Sequence, residues 1–153
     1  TENVGAACAG MVADMNVLAR QVAALSKIRK FEIRRDLPTN SVAKLMSVIM
    51  FERRYFPLLT QVVVGGYDTK PQIYTLDPLG SLLPDEYAAV GSGAEMALGV
   101  LDAQYNSKMN EEDARNLAIK SIKSSIQRDA SSGDGIDILI ISNKGKNEES
   151  IKV

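Results

Sequence analysis

The chain has 153 residues and a net charge of −1, which predicts one domain, residues 1–153, with a sizeable core. The near-neutral charge argues against a nucleic-acid partner, and no apolar run is as long as a membrane span. The chain has no histidine and only one cysteine, Cys8, which excludes an internal disulfide, ordinary zinc sites and an imidazole-activated nucleophile. We therefore expect a cytoplasmic chain in a reducing environment, with no cofactor, no membrane partner and no nucleic acid.

The first part of the chain predicts one strand and two helices. Residues 4–9 are small and apolar, as in a buried strand, and Gly10 ends this strand. Residues 36–40 connect two helices, with Thr39 or Asn40 as the cap of the second helix and Pro57 closing it. The first helix is long and amphipathic, and its apolar positions are Met11, Met15, Leu18, Val22 and Leu25.

The middle of the chain predicts an antiparallel hairpin followed by two turns. Strands 58–64 and 72–76 flank a turn cluster at 65–71, in which Gly65 and Gly66 are interpreted as turn residues. Residues 77–80 turn the chain again, and a short strand is expected at 87–90.

The last part predicts two helices and one strand. A third helix follows residues 91–93, and Asn110 caps a fourth helix with Asp113 near its third position. A strand is expected at 136–141, and the polar tail after it is expected to fray. Helices thus come in consecutive pairs and strands in consecutive runs, which predicts an α+β fold.

The corner between the fourth helix and the last strand contains small polar residues. Either Gly133 or Gly135 can adopt the positive φ that ends a helix, so ordinary helix capping explains much of this corner. Asp129 and the neighbouring Ser131 and Ser132 also place a carboxylate and hydroxyls on a rigid turn. Such a group can orient a nucleophile and its proton, and both interpretations stay open.

Two further corners are centred on glycine. Gly10 exposes a backbone N–H at a helix start, where it can stabilise an oxyanion, although such glycines are usually structural. Gly91-Ser92-Gly93 repeats the arrangement, and Ser92 with Glu95 also fits a helix capping box. The Gly-rich turn at 131–135 could hold a phosphate, but no Gly-Lys-Ser/Thr follows it as in a P-loop.

Several motifs occur along the chain in one order. They are Ala-Gly at 9–10, Arg-Arg-Tyr-Phe-Pro at 53–57, Val-Val-Val-Gly-Gly-Tyr-Asp at 62–68, Asp-Pro-Leu-Gly at 77–80, Gly-Ser-Gly at 91–93 and Arg-Asp-x-x-Ser-Gly-Asp-Gly at 128–135. Together they resemble one family, the β subunits of the 20S proteasome, closest to the archaeal type, from about residue 3 to Ser142. The resemblance implies an α+β N-terminal-nucleophile hydrolase fold, a four-layer sandwich of helices, two antiparallel sheets and helices.

The resemblance also implies an activity and partners. The expected activity is that of a threonine-type endopeptidase, which degrades unfolded polypeptides inside a barrel of stacked seven-membered rings. The expected partners are proteasome α subunits, other β subunits and an ATP-dependent regulatory cap. In that family the mature chain opens with the nucleophilic threonine on a strand, and an aspartate and a lysine follow before the Ala-Gly junction.

The start of this chain departs from that pattern. Thr1 does not fit as the nucleophile, because nine residues before Gly10 cannot hold the expected strands. The first lysine, Lys27, lies well inside the long helix. We therefore interpret the chain as a β subunit lacking its opening strands and its nucleophile.

Eight residues match functional positions of the family. The resemblance implies that Gly10 supplies an oxyanion-hole N–H, and that Ser92, Asp129 and Ser132 surround the threonine's amino group, which serves as the general base. It also implies that a wall of the first specificity pocket, favouring a hydrophobic side chain, is formed by Cys8, Val12 and Asn16, and that a neighbouring subunit's substrate channel is lined by Asp77.

Two functional interpretations remain open at this stage. One is a threonine peptidase subunit, and the other is a non-catalytic structural subunit of the same particle. The presence of Gly10, Ser92, Asp129 and Ser132 together favours the peptidase, because a purely structural subunit does not need all four. A phosphate-binding module is a distant third hypothesis.

Overall fold

Residues 3–153 are described by a computed structural model, so the hypothesis concerning Thr1 lies outside the described residues. Within that range, helices and strands follow in the α+β order expected from the sequence. The elements are β1 (Val4–Gly10), α1 (Val12–Ile33), α2 (Thr39–Glu52), β2 (Thr60–Tyr67), β3 (Pro71–Leu76), β4 (Leu82–Asp85), α3 (Ala94–Gln104), α4 (Glu111–Arg128), β5 (Gly135–Ser142) and β6 (Gly145–Lys152).

The strands form two antiparallel sheets. The larger sheet has the order β1-β2-β3-β4, and the smaller one pairs β5 with β6. In the larger sheet Cys8 lies opposite Val62, and Gly10 lies opposite Thr60. This register places the end of β1, where helix α1 begins, beside the start of β2.

The two sheets lie between two pairs of helices, which confirms the expected four-layer sandwich. Helices α1 and α2 pack on the larger sheet, β1 and β2 contact β5, and α4 packs on β5 beside α3. The sheets approach closely at Gly5, where an added Cβ would lie 2.2 Å from Leu139 Cδ2. The main core lies between α1–α2 and the larger sheet, and its most completely buried side chains include Leu18, Met50, Val62, Val64 and Leu76.

Strand β1 is less buried than its small apolar sequence predicts. Ala6 and Ala7 are exposed, while Cys8 and Ala9 are half-buried. Strand β1 is exposed because, among the described residues, it pairs with β2 alone and forms an edge of the sheet. The prediction of a strand was confirmed, and the prediction that it is buried was wrong.

Gly65 and Gly66 lie inside strand β2, so their interpretation as turn residues was wrong. At Gly66 an added Cβ would lie 2.4 Å from Thr39 Oγ1 and 2.7 Å from the Asn3 carbonyl oxygen. Glycine is therefore needed there because another part of the chain packs directly against the strand. The antiparallel hairpin itself was confirmed, with its turn at residues 68–70.

Two further predictions were wrong, the strand at 87–90 and the fraying of the tail. Residues 87–90 have no strand partner in the structure, while β4 at 82–85 pairs with β3 instead. The tail does not fray, because β6 pairs with β5 along its whole length and Ile151 lies opposite Ile136. The polar composition of the tail does not indicate this pairing, because the pairing is formed by backbone hydrogen bonds.

Helix α4 begins as its sequence predicts. The Asn110 side chain accepts a hydrogen bond from the Asp113 N–H at 2.8 Å, which confirms the predicted cap. Helix α2 begins differently, because Pro38 occupies its cap position and Thr39 is already helical. The predicted cap at Thr39 or Asn40 was therefore wrong, as was closure by Pro57, since α2 ends at Glu52.

A distant carboxylate completes the start of α2. Both carboxylate oxygens of Asp68, at the hairpin turn, accept the Thr39 N–H, at 3.0 and 3.3 Å. Gln72 Nε2 donates to the same carboxylate at 3.0 Å and holds it in place. The negative charge also lies at the positive end of the helix dipole.

We expect Asp68→Ala to lower the free energy of unfolding by about 0.5–2 kcal/mol, the usual effect of losing a helix cap. Chemical denaturation monitored by circular dichroism measures this change. Asp137→Ala is the control, because Asp137 is an exposed carboxylate on β5 and its removal should change stability by less than about 0.5 kcal/mol. Equal stability of Asp68→Ala and the unaltered protein would show that the carboxylate contributes nothing to α2.

Candidate active site

The site begins where β1 passes into α1 at Gly10. This residue has φ +134°, and an added Cβ would lie 2.1 Å from the Leu59 carbonyl oxygen, so only glycine fits. The Met11 N–H donates to the Leu59 carbonyl oxygen at 2.8 Å, which continues the pairing with β2 by one residue. Because paired positions alternate in an antiparallel ladder, the Gly10 N–H points away from β2.

The second glycine corner packs against this junction. Gly91 has φ +104°, and an added Cβ would lie 3.0 Å from Ala9 Cβ, beside Gly10. The Gly91 N–H also donates to Gln61 Oε1 of β2 at 3.3 Å. The corner that carries Ser92 is therefore held against the end of β1.

Ser92 does not cap helix α3. The cap position belongs to Gly93, and the cap makes no side-chain hydrogen bond. The Ser92 hydroxyl donates instead to Asp129 Oδ2 at 2.6 Å, across 37 residues of sequence. The capping box of Ser92 and Glu95 was therefore a wrong interpretation, because α3 begins one residue later than a cap at Ser92 requires.

Ser132 completes a group of three side chains. Its hydroxyl donates to the same Asp129 Oδ2 at 2.6 Å, while Asp129 Oδ1 accepts the Ser131 N–H at 3.3 Å. The Asp129 carboxylate thus has one oxygen shared by two hydroxyls, which we call the Asp129 cluster. The structure brings Ser92, Asp129 and Ser132 into direct contact.

The end of α4 fixes this cluster in space. Asp129 is the residue at the helix end, and its N–H donates to the Ser125 carbonyl oxygen at 2.8 Å. The residue with positive φ in this corner is Asp134, at φ 65°, so the assignment of that conformation to Gly133 or Gly135 was wrong. Aspartate tolerates this region because its short polar side chain can bond locally.

Hydrogen bonding sets the charge state of the cluster. The Ser132 hydroxyl, followed by the Ser92 hydroxyl, lowers the pKa of Asp129 below its ordinary value, and burial opposes them. Both hydroxyls favour the ionised form, so Asp129 is a carboxylate at neutral pH. Since the folded-state pKa is depressed, this stabilisation is present above the unfolded pKa and is lost as pH falls through the lowered value.

A cavity of about 900 Å³ opens between the β1–β2 face and the α3–α4 layer. It is lined by Gly10, Ser92 and Ser132 together, which places the oxyanion candidate and two of the three cluster residues around one space. A space of this size accommodates a segment of polypeptide or a small molecule. Apolar residues from both layers form much of its wall: Ala9, Leu59, Val63, Ala97 and Leu101.

The predicted pocket residues lie near the same junction but outside this cavity. Cys8 packs against the α1–α2 core, and burial raises the pKa of its thiol. Val12 and Asn16 are exposed on the first turns of α1, four residues apart and therefore on one helix face. Val12 is 67% exposed, so its apolar side chain is open to a neighbouring group.

Asp77 shapes the turn after β3. Its carboxylate accepts the N–H groups of Leu79 and Ser81, each at 2.9 Å. The hydrogen bond with the Ser81 side chain is the largest of the effects that lower the pKa of Asp77. Asp77 is therefore an ionised turn residue in this chain, away from the Asp129 cluster.

Sequence reasoning missed two residues that hold the site together. Gln61 links β2 to Gly91, and the buried Ser125 donates to the Gly93 carbonyl oxygen at 2.7 Å. The spacing of Ser125, four residues before Asp129 on α4, could have indicated that it faces the same way. No local signal could have indicated the partner of Gln61, since it lies 30 residues away.

Two further observations bear on the kind of site. Among residues 3–153, no three side chains of metal-binding type gather where one ion could be held. No helix in this part of the chain combines the length and apolar character of a membrane span.

Comparison with known proteins gives the family. Residues 1–141 match the family model described as proteasome subunit. Proteasome subunit beta 1 of Nitrosopumilus maritimus is 60% identical over 99% of this chain and 78% of its own length. Proteasome subunit beta 1 of Cenarchaeum symbiosum is 63% identical over 97% of this chain and 77% of its own length. Proteasome subunit beta 1 of Ignicoccus hospitalis is 46% identical over 95% of this chain and 73% of its own length.

The four-layer fold, the glycine corners and these similarities define the class. The chain belongs to the proteasome subunit family, whose particle is a protease. Within that family it is a β-type subunit of the 20S core particle, and it assembles with other subunits.

We expect Ser132→Ala to raise the pKa of Asp129 toward the ordinary carboxyl value, because it removes the largest cause of the lowered value. The carboxyl ¹³C chemical shift of Asp129, followed against pH by NMR, measures it. Ser131→Ala is the matched control, since Ser131 contacts Asp129 through its backbone N–H, which alanine retains. Identical titration of the two variants would show that the Ser132 hydroxyl does not act on Asp129.

Proposed function

We propose that this subunit contributes a threonine-type endopeptidase site to the core particle, and that the Asp129 cluster holds the amino group that acts as general base. The observation that carries the proposal is the sharing of Asp129 Oδ2 by the Ser92 and Ser132 hydroxyls, each at 2.6 Å. Two members of the cluster, Ser92 and Ser132, line the same cavity as Gly10. The nucleophile is the amino-terminal threonine that the family resemblance implies.

The hydrogen bonds determine what the cluster can recognise. Because both hydroxyl protons point to Asp129, the oxygen lone pairs of Ser92 and Ser132 stay available as acceptors. An amine that has taken a proton carries three N–H donors and a positive charge. The two hydroxyl oxygens accept from it, and the Asp129 carboxylate behind them stabilises the charge.

This arrangement supports a proton path for peptide hydrolysis. The threonine hydroxyl gives its proton to the amino group as the oxygen attacks the substrate carbonyl carbon, and the resulting ammonium returns it to the leaving amine. Water then gives a proton to the same amino group as it attacks the acyl–threonine ester, and the threonine oxygen takes that proton back as the acid product leaves. The cluster favours the ammonium form and orients it. An amine therefore supplies the base in a chain that contains no histidine.

Gly10 stabilises the negative charge that develops on the substrate oxygen. Its N–H points away from β2. The Leu59 carbonyl oxygen leaves no room for a side chain at residue 10, which would otherwise displace the backbone. A donor fixed before the reaction needs little reorganisation in the transition state. The half-buried Cys8 and the neighbouring Val12 and Asn16 favour a hydrophobic side chain at the cleaved residue.

Assembly places the site in a larger particle. We infer the partners from the family: proteasome α subunits, other β subunits in seven-membered rings, and an ATP-dependent regulatory cap. Asp77 then contributes to the substrate channel of a neighbouring subunit. The single cysteine fits a reducing cytoplasm, and the substrates are unfolded polypeptides.

We expect Asp129→Asn in the full-length subunit, assembled into particles, to lower peptide hydrolysis by about 10²–10⁴-fold while assembly is retained. An amide carries no charge to stabilise the ammonium, yet it has nearly the same shape as the carboxylate. Hydrolysis of a fluorogenic peptide, normalised to particles separated by size, measures the change. Full activity of the assembled variant would show that Asp129 is only a carboxylate at the end of a helix and takes no part in the reaction.

Ser92→Ala and Glu95→Ala form a second, paired test. The Ser92 hydroxyl contacts Asp129, so we expect Ser92→Ala to lower turnover in assembled particles, on the order of 10-fold or more. Glu95 lies in the first turn of α3 and makes no cap bond, so Glu95→Ala should leave turnover unchanged. Equal turnover in both variants would remove Ser92 from the site.

A further inference from the structure

We propose that Ser125 is a positioning residue for the peptidase site, because it holds the corner that carries Ser92 at the distance where the Ser92 hydroxyl reaches Asp129. The proposal rests on the proposed function for its effect on turnover. Its structural part, that the Ser92–Asp129 distance depends on Ser125, does not require the proposed function.

Ser125 contacts both sides of the site. Its side chain is buried, with 4% of the residue exposed, and its hydroxyl donates to the Gly93 carbonyl oxygen at 2.7 Å. Its own carbonyl oxygen accepts the Asp129 N–H at 2.8 Å. One residue of α4 thus binds the neighbour of Ser92 through its side chain and binds Asp129 through its backbone.

The contact with Gly93 leaves little freedom. An added Cβ on Gly93 would lie 2.7 Å from Ser125 Cβ and 3.3 Å from Ser132 Oγ. The corner therefore packs directly on α4 because residue 93 has no side chain. The hydrogen bond from the Ser125 hydroxyl to the Gly93 carbonyl oxygen then sets the distance between the corner and α4.

The hydrogen bond does more than satisfy buried polar atoms. The Gly93 carbonyl oxygen already accepts the Ala97 N–H of α3 at 3.2 Å, so it has a partner without Ser125. Ser121, one turn earlier on α4 and equally buried, bonds within its own helix, to the Ala118 carbonyl oxygen at 2.8 Å. The Ser125 hydroxyl also makes a long contact of 3.5 Å with the Ser121 carbonyl oxygen of its own helix, but its short bond is the one to Gly93.

Loss of the bond between Ser125 and Gly93 changes the orientation of Ser92 relative to Asp129. Without the Ser125 hydroxyl the corner can move relative to the end of α4, and the 2.6 Å bond between Ser92 and Asp129 lengthens. Small displacements of groups that position a reacting atom lower turnover strongly. Substrate binding, which is assigned to Cys8, Val12 and Asn16 outside this cavity, should be unaffected.

The test compares Ser125→Ala with Ser121→Ala in the full-length subunit assembled into particles. For Ser125→Ala we expect kcat to fall on the order of 10-fold with KM unchanged, the pattern of a lost transition-state interaction. A crystal structure of this variant should show the Ser92 Oγ to Asp129 Oδ2 distance beyond 3.5 Å. Ser121→Ala, which removes an equally buried hydroxyl from the same helix, should retain both kcat and the distance.

A double variant separates positioning from a general loss of stability. If Ser125 acts through Ser92, then Ser92→Ala with Ser125→Ala should be no slower than Ser92→Ala alone, since the effects of coupled residues do not add. Additive losses in kcat, or an unchanged distance in the Ser125→Ala structure, would overturn the proposal. If Ser125→Ala does not assemble, Ser125→Cys fills the space with a weak donor and should show the same fall in kcat.

The failure of this inference differs from the failure of the proposed function. If Ser125→Ala retains full turnover while Ser92→Ala loses much of it, the role of Ser125 is rejected and the proposed peptidase site is not. Full turnover in Asp129→Asn rejects the proposed site. The distance in the Ser125→Ala structure then still decides whether Ser125 holds the corner.

Discussion

Asp129 Oδ2 accepts two hydroxyl hydrogens, and this shared oxygen is the point at which the separate parts of the site meet. Ser92 reaches it from the corner before α3, and Ser132 reaches it from the corner after α4. The two hydroxyls can meet there only because α3 and α4 pack against each other in one relative position. The chemistry of the site therefore depends on this helix pair.

The structure also explains why glycines occur at the corners of the site. An added Cβ would lie 2.1 Å from the Leu59 carbonyl oxygen at Gly10, 3.0 Å from Ala9 Cβ at Gly91 and 2.7 Å from Ser125 Cβ at Gly93. The corners that carry the site therefore pack closely against neighbouring parts of the chain. Such close packing keeps polar groups fixed in the orientation that a reaction needs.

Sequence patterns predicted local structure well and long-range partners poorly. The Asn110 cap and the hairpin depend on neighbours within a few residues, and both were confirmed. The apolar face predicted for α1 was confirmed only in part, because Leu18 and Val22 are buried while Met11 and Leu25 are exposed. The turn at Gly66 failed because a residue far along the chain packs against the strand, and the capping box at Ser92 failed because α3 begins one residue later than that cap requires. The candidate site residues were found through combined motifs, and their hydrogen-bond partners could be identified only from the three-dimensional arrangement.

The helix cap supplied by Asp68 has a consequence for the order of events during folding. Helix α2 receives this carboxylate from a residue 29 positions later, at the tip of the β2–β3 hairpin. The first turn of α2 therefore lacks its full stabilisation until that long loop has closed, and closing it costs chain entropy first. The start of the helix and the tip of the hairpin therefore stabilise each other, and neither has all its hydrogen bonds without the other.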